Sequence, residues 1–226
     1  MPTLPEVLSP ERYGTYLGWA SQDHALAKRL YTYNVQLSAA LYGPLHMVEV
    51  ALRNVTDRQL VATQGSGWLD DPQVLRSLYQ QGCVAKARHS LQQEGKTASH
   101  GQMVAELNFG FWCSLFGREG SHLWGGVLRP IFQTGGLQRG KIAGELKDIR
   151  TLRNRVAHYE PILALPLDLR YASITALTGW LSPSAAAWIH QYSTWPALYP
   201  SVPIIVQDQQ TGVYRVSGAV LPYLPT

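Results

Sequence analysis

The stretch Leu152-Arg153-Asn154-Arg155-Val156-Ala157-His158-Tyr159-Glu160-Pro161 gathers residue types with complementary chemistry. A histidine, whose unperturbed pKa is about 6.5, holds either protonation state near neutrality and can therefore give or take a proton. A guanidinium is a permanent positive charge with a fork of donors, and an amide both donates and accepts. Asn154 and His158 are four residues apart, about 40° from each other around a helix, so they share a face. Arg153 falls instead within the apolar series Ile142, Leu146, Ile149 and Val156, where an ordinary core would carry leucine. A charge in that place must be paired or reach into a polar cleft.

The series recurs at alternating steps of four and three after the break Thr134-Gly135-Gly136, which predicts a helix running to His158. A second long helix is expected over Leu37 to Leu60, from the spacing of Leu37, Leu41, Leu45, Val48, Leu52 and Val55, with Gly43-Pro44 kinking or dividing it. His46, Glu49, Arg53 and Asp57 fall on its opposite side, and Glu49 is the first choice of counter-ion for Arg153. The competing reading makes these charges buried pairs that register one helix against another, with no chemistry.

Ser9-Pro10, Asp71-Pro72 and Ser182-Pro183 each place a capping side chain before a proline at the first helical position, so each should open a helix. Further helices are expected over Pro72 to Gln93, Gln102 to Phe116, His122 to Phe132, Leu167 to Leu181 and Pro183 to Tyr192. After Trp195-Pro196 prolines recur, and Val202 to Val206 and Val213 to Val216 flank Asp208-Gln209-Gln210-Thr211-Gly212, the pattern of a β-hairpin. The expected organisation is a helical domain over residues 9–195 and a Pro-rich tail over 196–226.

A chain of 226 residues suits one domain with a real core. Hydrophobic content of 46% against 15% charged excludes disorder and suggests apolar surface for self-association. Cys83 and Cys113 are too few for a disulfide framework and lack metal spacing, which fits a reducing cytoplasm. Met1 to Glu6 has no basic region followed by an apolar stretch, and no apolar run approaches the roughly 18 residues of a membrane span, so a soluble cytoplasmic protein is expected. The net charge of +4 is mild, but between Arg139 and Arg155 six basic residues face two acidic ones, a local excess of four that equals the whole. That segment concentrates attraction for phosphate.

Gly135 to Ile142 nearly matches a phosphate-binding loop, but Ile142 stands where a Mg²⁺-binding Ser or Thr belongs and no strand precedes it. His46-x-x-Glu49 and His158-x-Glu160 lack the accompanying ligands of a metal site. No cofactor and no metal are expected.

Arg153-Asn154 followed by His158 matches the R-N-x-x-x-H arrangement of HEPN ribonucleases. With Tyr31-Thr32-Tyr33-Asn34, Leu45 to Asn54 and Phe109 to Phe116 in the same order, the chain resembles the Abi-like abortive-infection family of that superfamily over roughly Ser9 to Tyr192. The resemblance implies an all-α, HEPN-like helical bundle, here with a small C-terminal β-hairpin appendage. It further implies a toxin of bacterial phage defence that cuts RNA without metal. In that chemistry the ribose 2′-hydroxyl attacks the adjacent phosphate, leaving a 2′,3′-cyclic phosphate and a 5′-hydroxyl. His158 would transfer a proton, Arg153 would bind the phosphate and stabilise transition-state charge, and Asn154 would orient His158 or bond the substrate. His46, Glu49 and Arg53 would support them, and Lys147, Arg150 and Arg155 would hold the RNA backbone.

One chain supplies one such histidine, whereas cyclising cleavage benefits from both a base and an acid; the resemblance implies a homodimer in which two copies of the motif face a shared cleft. An RNA or protein antitoxin is admitted as a partner, because one basic face would serve substrate and inhibitor alike. The alternative function is a non-catalytic HEPN-like module that binds RNA or protein. The aromatic run Phe109 to Phe116 is read as core rather than dimer contact.

Overall fold

The structure, a computed structural model, describes residues 4–225. Residues 1–3, part of the stretch read for a leader, lie outside the described residues. The chain is mostly helical, with one small antiparallel sheet near the C-terminus. In order, α1 (Leu4–Leu8), α2 (Pro10–Trp19), α3 (His24–Gln64), α4 (Leu78–Gln93), α5 (His100–Glu106), α6 (Phe109–Ser114), α7 (Arg139–Ala157), α8 (Leu167–Leu181), α9 (Pro183–Tyr192) and α10 (Trp195–Leu198) precede strands β1 (Ile205–Gln207) and β2 (Tyr214–Val216). Among the described residues no helix is long and apolar enough to cross a membrane.

Several expected elements are found and several are corrected. Ser9 and Ser182 do open α2 and α9, each hydroxyl accepting from a main-chain N–H of the first turn. Asp71-Pro72 opens only a turn, and α4 starts later, where the Ser77 hydroxyl caps Gln80 N. The helix expected over Gln102 to Phe116 is two, because the Asn108 side chain accepts from Phe111 N at 2.9 Å and begins α6 afresh. His122 to Phe132 forms only short 3-10 and π turns, a consequence of Gly125-Gly126 and Pro130.

Gly43-Pro44 does not divide α3, which runs unbroken for 41 residues. A mid-helix proline costs about 3 kcal/mol. Leu37 and Leu41 before it and Leu45, Val48 and Leu52 after it are all buried, each contributing roughly 1.5–3 kcal/mol. Burial therefore wins over the lost hydrogen bond.

The chain divides into two compact units. The first comprises Met1–Pro44, Thr151–Ala172 and Gln191–Thr226. Its spine is the first half of α3, which Asp23 caps by accepting from Ala25 N and Leu26 N. Three side chains of this half-helix grip the main chain of three distant segments. Arg29 donates to the carbonyls of Leu221, Leu224 and Pro225, Tyr33 donates to Leu198 O at 2.7 Å, and Asn34 holds the segment after α7. Trp195 stacks between Tyr171 and Tyr199, at centroid distances of 5.3 and 4.6 Å. The hairpin registers Ile205 with Val216 and Gln207 with Tyr214, and Asp208 closes its loop by accepting from Gln210 N and Thr211 N.

The second unit comprises Leu45–Arg150 and Ser173–His190. Phe109, Phe111, Trp112, Leu115 and Phe116 are buried in it, which makes the aromatic run core. Trp68 packs on Phe111 and Trp112 at 6.2 and 6.0 Å, contacts worth roughly 0.5–1.5 kcal/mol each beyond area burial. Gly120 is required there, because a Cβ would lie 1.9 Å from the Leu115 carbonyl oxygen.

Candidate functional site

Arg153, Asn154, Arg155 and His158 all lie in the first unit, on the last turns of α7 and at its C-cap. Asn154 and His158 are exposed, and Arg153 is half-buried, as its place in an apolar series requires. His158 N bonds to Asn154 O at 2.9 Å, so helical geometry persists up to the histidine and keeps both residues on one face.

The helix then stops in a defined way. Glu160 N bonds to Arg155 O at 2.8 Å and Tyr159 N to Val156 O at 3.2 Å, the paired bonds of a Schellman cap. Its left-handed position, normally glycine, is held by Tyr159 at φ 58°. For a bulky side chain this conformation costs about 1 kcal/mol or more.

Other residues fix the turn from outside the helix. Asn34, 3% exposed, uses both ends of its amide: Oδ1 accepts from Ile162 N at 2.8 Å and Nδ2 donates to Glu160 O at 3.5 Å. Arg12 of α2 donates from Nη2 to His158 O at 3.4 Å. Arg155 donates from Nη1 to Pro161 O at 3.0 Å, and its Nε stands 4.0 Å from the Glu160 carboxylate. The main chain from His158 to Ile162 is thus held at His158 O, Tyr159 N, Glu160 N and O, Pro161 O and Ile162 N, while the His158 side chain is exposed. Arg155, read from sequence as an RNA contact, is engaged in holding this turn.

Asn34 and Arg12 are the residues that sequence reasoning missed. Asn34 carried a signal, because it interrupts the apolar positions Leu30, Tyr33, Leu37 and Leu41 of α3, and a polar group in such a stripe needs a partner. Arg12 carried none, since its contact spans 146 residues.

His46, Glu49, Arg53, Lys147 and Arg150 belong to the second unit. His46 and Lys147 are exposed; Glu49, Arg53 and Arg150 are half-buried, and Arg53 Nε is buried with no hydrogen-bond partner among the described residues. Glu49 and Arg150 both bear on the thiol of Cys113. Burial pushes that thiol up to about 12, with Arg150 pulling down and Glu49 adding to the rise. Arg150 also approaches Gly110, where an added Cβ would lie 3.7 Å from Nη1 and 2.9 Å from the Tyr79 hydroxyl. Burial, then a hydrogen bond with Cys83, raises the Tyr79 pKa. Of the other basic residues of 139–155, Arg139 donates to Phe116 O and Lys141 sits 5.6 Å over the Trp180 ring.

Asp57, on the polar side of α3, builds a separate cluster in the second unit. Its Oδ1 accepts from Trp68 Nε1 at 3.0 Å and bonds His100 Nε2 at 2.8 Å. Among the described residues no three His, Cys, Asp or Glu side chains come together to hold a metal ion. Comparison of the chain with family models, curated proteins and solved structures gives no match.

Proposed function

We propose that the chain is a metal-independent endoribonuclease of the HEPN kind, acting as an abortive-infection toxin in the bacterial cytoplasm. The observation that carries this reading is the end of α7, where an exposed histidine and an exposed asparagine share a face on a main chain pinned by Arg12, Asn34 and Arg155. Such pinning is what a proton-transfer group needs, because a misplacement of about 1 Å costs on the order of 100-fold in rate.

In the proposed reaction the 2′-oxygen bonds to the neighbouring phosphorus as the bond to the 5′-oxygen breaks. One group takes the 2′-hydroxyl proton and another returns a proton to the leaving oxygen. His158 serves one of these steps, and its copy in a second protomer serves the other, so the active form is a homodimer. Arg153 binds the phosphate and Asn154 orients the imidazole or the substrate. Lys147 and Arg150 remain proposed contacts for the RNA backbone, and His46, Glu49 and Arg53 proposed supports. An RNA or protein antitoxin would restrain the enzyme.

The test is cleavage of mixed cellular RNA in EDTA by the wild type and His158→Ala, with termini mapped and the fold of the variant checked. Cyclic-phosphate ends should appear with the wild type and fall by roughly 10²–10⁴ in the variant. RNA bound but uncut by the wild type would favour the non-catalytic binding module.

A further inference from the structure

Three helices of this chain end in the same motif with different residues at its left-handed position; at the end of α2, Ser21 N bonds to Gly18 O at 3.3 Å and Gln22 N to Leu17 O at 2.9 Å, with Ser21 at φ 52°. At the end of α4, Gly95 N bonds to Gln92 O at 3.0 Å and Lys96 N to Leu91 O at 2.9 Å, with Gly95 at φ 67°. At the end of α7 the same pair of bonds closes around Tyr159 at φ 58°. Folding alone favours the α4 solution, because glycine alone enters this region without a Cβ clash. Among the described residues Tyr159 is the only aromatic with a positive φ; the other non-glycine cases are serines and one glutamine.

The strain gains nothing in packing, since Tyr159 is 77% exposed. What it achieves is position. Its backbone is fixed on one side by Arg12 at His158 O, and on the other by Asn34 at Glu160 O and Ile162 N. A flat, amphipathic ring is thereby held beside His158 with its faces open to solvent. Strain retained at an exposed site, where a relaxed residue would serve the fold better, is the pattern of a ligand-contacting position.

Accepting the nuclease reading as its basis, we infer that Tyr159 is a stacking platform for an unpaired nucleobase, which makes single-stranded RNA the substrate. A base within a duplex is already stacked on both faces and cannot lie on the ring, whereas splayed bases of loops and single strands are commonly bound on aromatic side chains. Stacking the base next to the scissile linkage would set the ribose beside His158 and discriminate against double-stranded RNA.

The experiment measures binding of a short single-stranded RNA carrying 2-aminopurine, and of its duplex, in the His158→Ala background. Tyr159→Gly, Tyr159→Phe and Tyr159→Leu are compared, with melting temperature and sedimentation recorded for each. Tyr159→Gly should lose roughly 5- to 150-fold in affinity for the single strand, the range of a base–aromatic stack. The same variant should melt about 2–4 °C higher through release of backbone strain. Tyr159→Phe should bind as Tyr159 does and quench 2-aminopurine emission; Tyr159→Leu should do neither. A purely structural tyrosine cannot give higher stability with lower affinity. Unchanged single-strand affinity in Tyr159→Gly, equal affinity for the duplex, or a change of mass marking the ring as a contact between copies would each overturn the inference and leave the nuclease reading standing. Absence of any RNA affinity with Tyr159 in place, joined to absence of cleavage by the wild type, would overturn both.

Discussion

His100 and His158 are each partly or fully open to solvent near a helix end, yet the protein holds them by opposite parts. In the second unit the His100 ring is gripped: its Nε2 lies 2.8 Å from Asp57 Oδ1, which Trp68 also binds. In the first unit the His158 main chain is gripped by Arg12 and by the helix cap, and the ring projects outward. A side chain whose polar atom is consumed by its own fold ties elements together. A residue whose backbone is fixed and whose side chain is exposed is placed for something else.

The sharpest way to break this contrast is substitution of both histidines. His158→Ala should reduce RNA cleavage by roughly 10²–10⁴, whereas His100→Ala should leave cleavage near the wild-type rate. Comparable losses in the two variants would dissolve the distinction. Next in size is Asn34→Ala, which strips both amide bonds from the turn after α7 and leaves the buried Ile162 N–H without its acceptor. It should cost about 2–3 kcal/mol in denaturant unfolding and lower cleavage as well, because the main chain that carries His158 loosens. His100→Ala should cost about 1–2 kcal/mol by the same measurement, since Asp57 keeps its bond from Trp68. Smallest is a labelling difference in the second unit. The Cys113 pKa is raised to about 12, so near pH 8 its thiol stays almost wholly protonated and should resist iodoacetamide until the chain unfolds, while half-buried Cys83 labels in the native state.

The residues bearing the proposed chemistry were legible in the sequence, and the device that holds them was only partly so. The period of Ile142, Leu146 and Ile149 gave α7, and capping serine followed by proline gave the starts of α2 and α9, because those signals are local. Asp71-Pro72 does cap a turn, Asp71 accepting from Gln73 N, Val74 N and Leu75 N, but that turn is not continued and Ser77 starts the helix six residues on. Arg12 reaching His158 and Asn34 reaching Ile162 span 146 and 128 residues, distances over which no spacing rule operates. The glycine-rich run near Gly125 misled for the converse reason: apolar residues recur there, but the backbone breaks into a π turn at Gly125-Gly126 flanked by 3-10 turns.

The grip of Arg29 on the carbonyls of Leu221, Leu224 and Pro225 has a consequence in time. Its partners lie 192 to 196 residues downstream, so a ribosome must finish nearly all of the described chain before that contact can form. Most of the second unit, from Leu45 to Arg150, leaves the ribosome well before then, whereas the first unit waits for its last segment. A growing chain therefore exposes the sequence of the α7 end before the unit that fixes it is complete. For the activity proposed here, competence would wait until Leu221 to Pro225 have been made and have docked on Arg29.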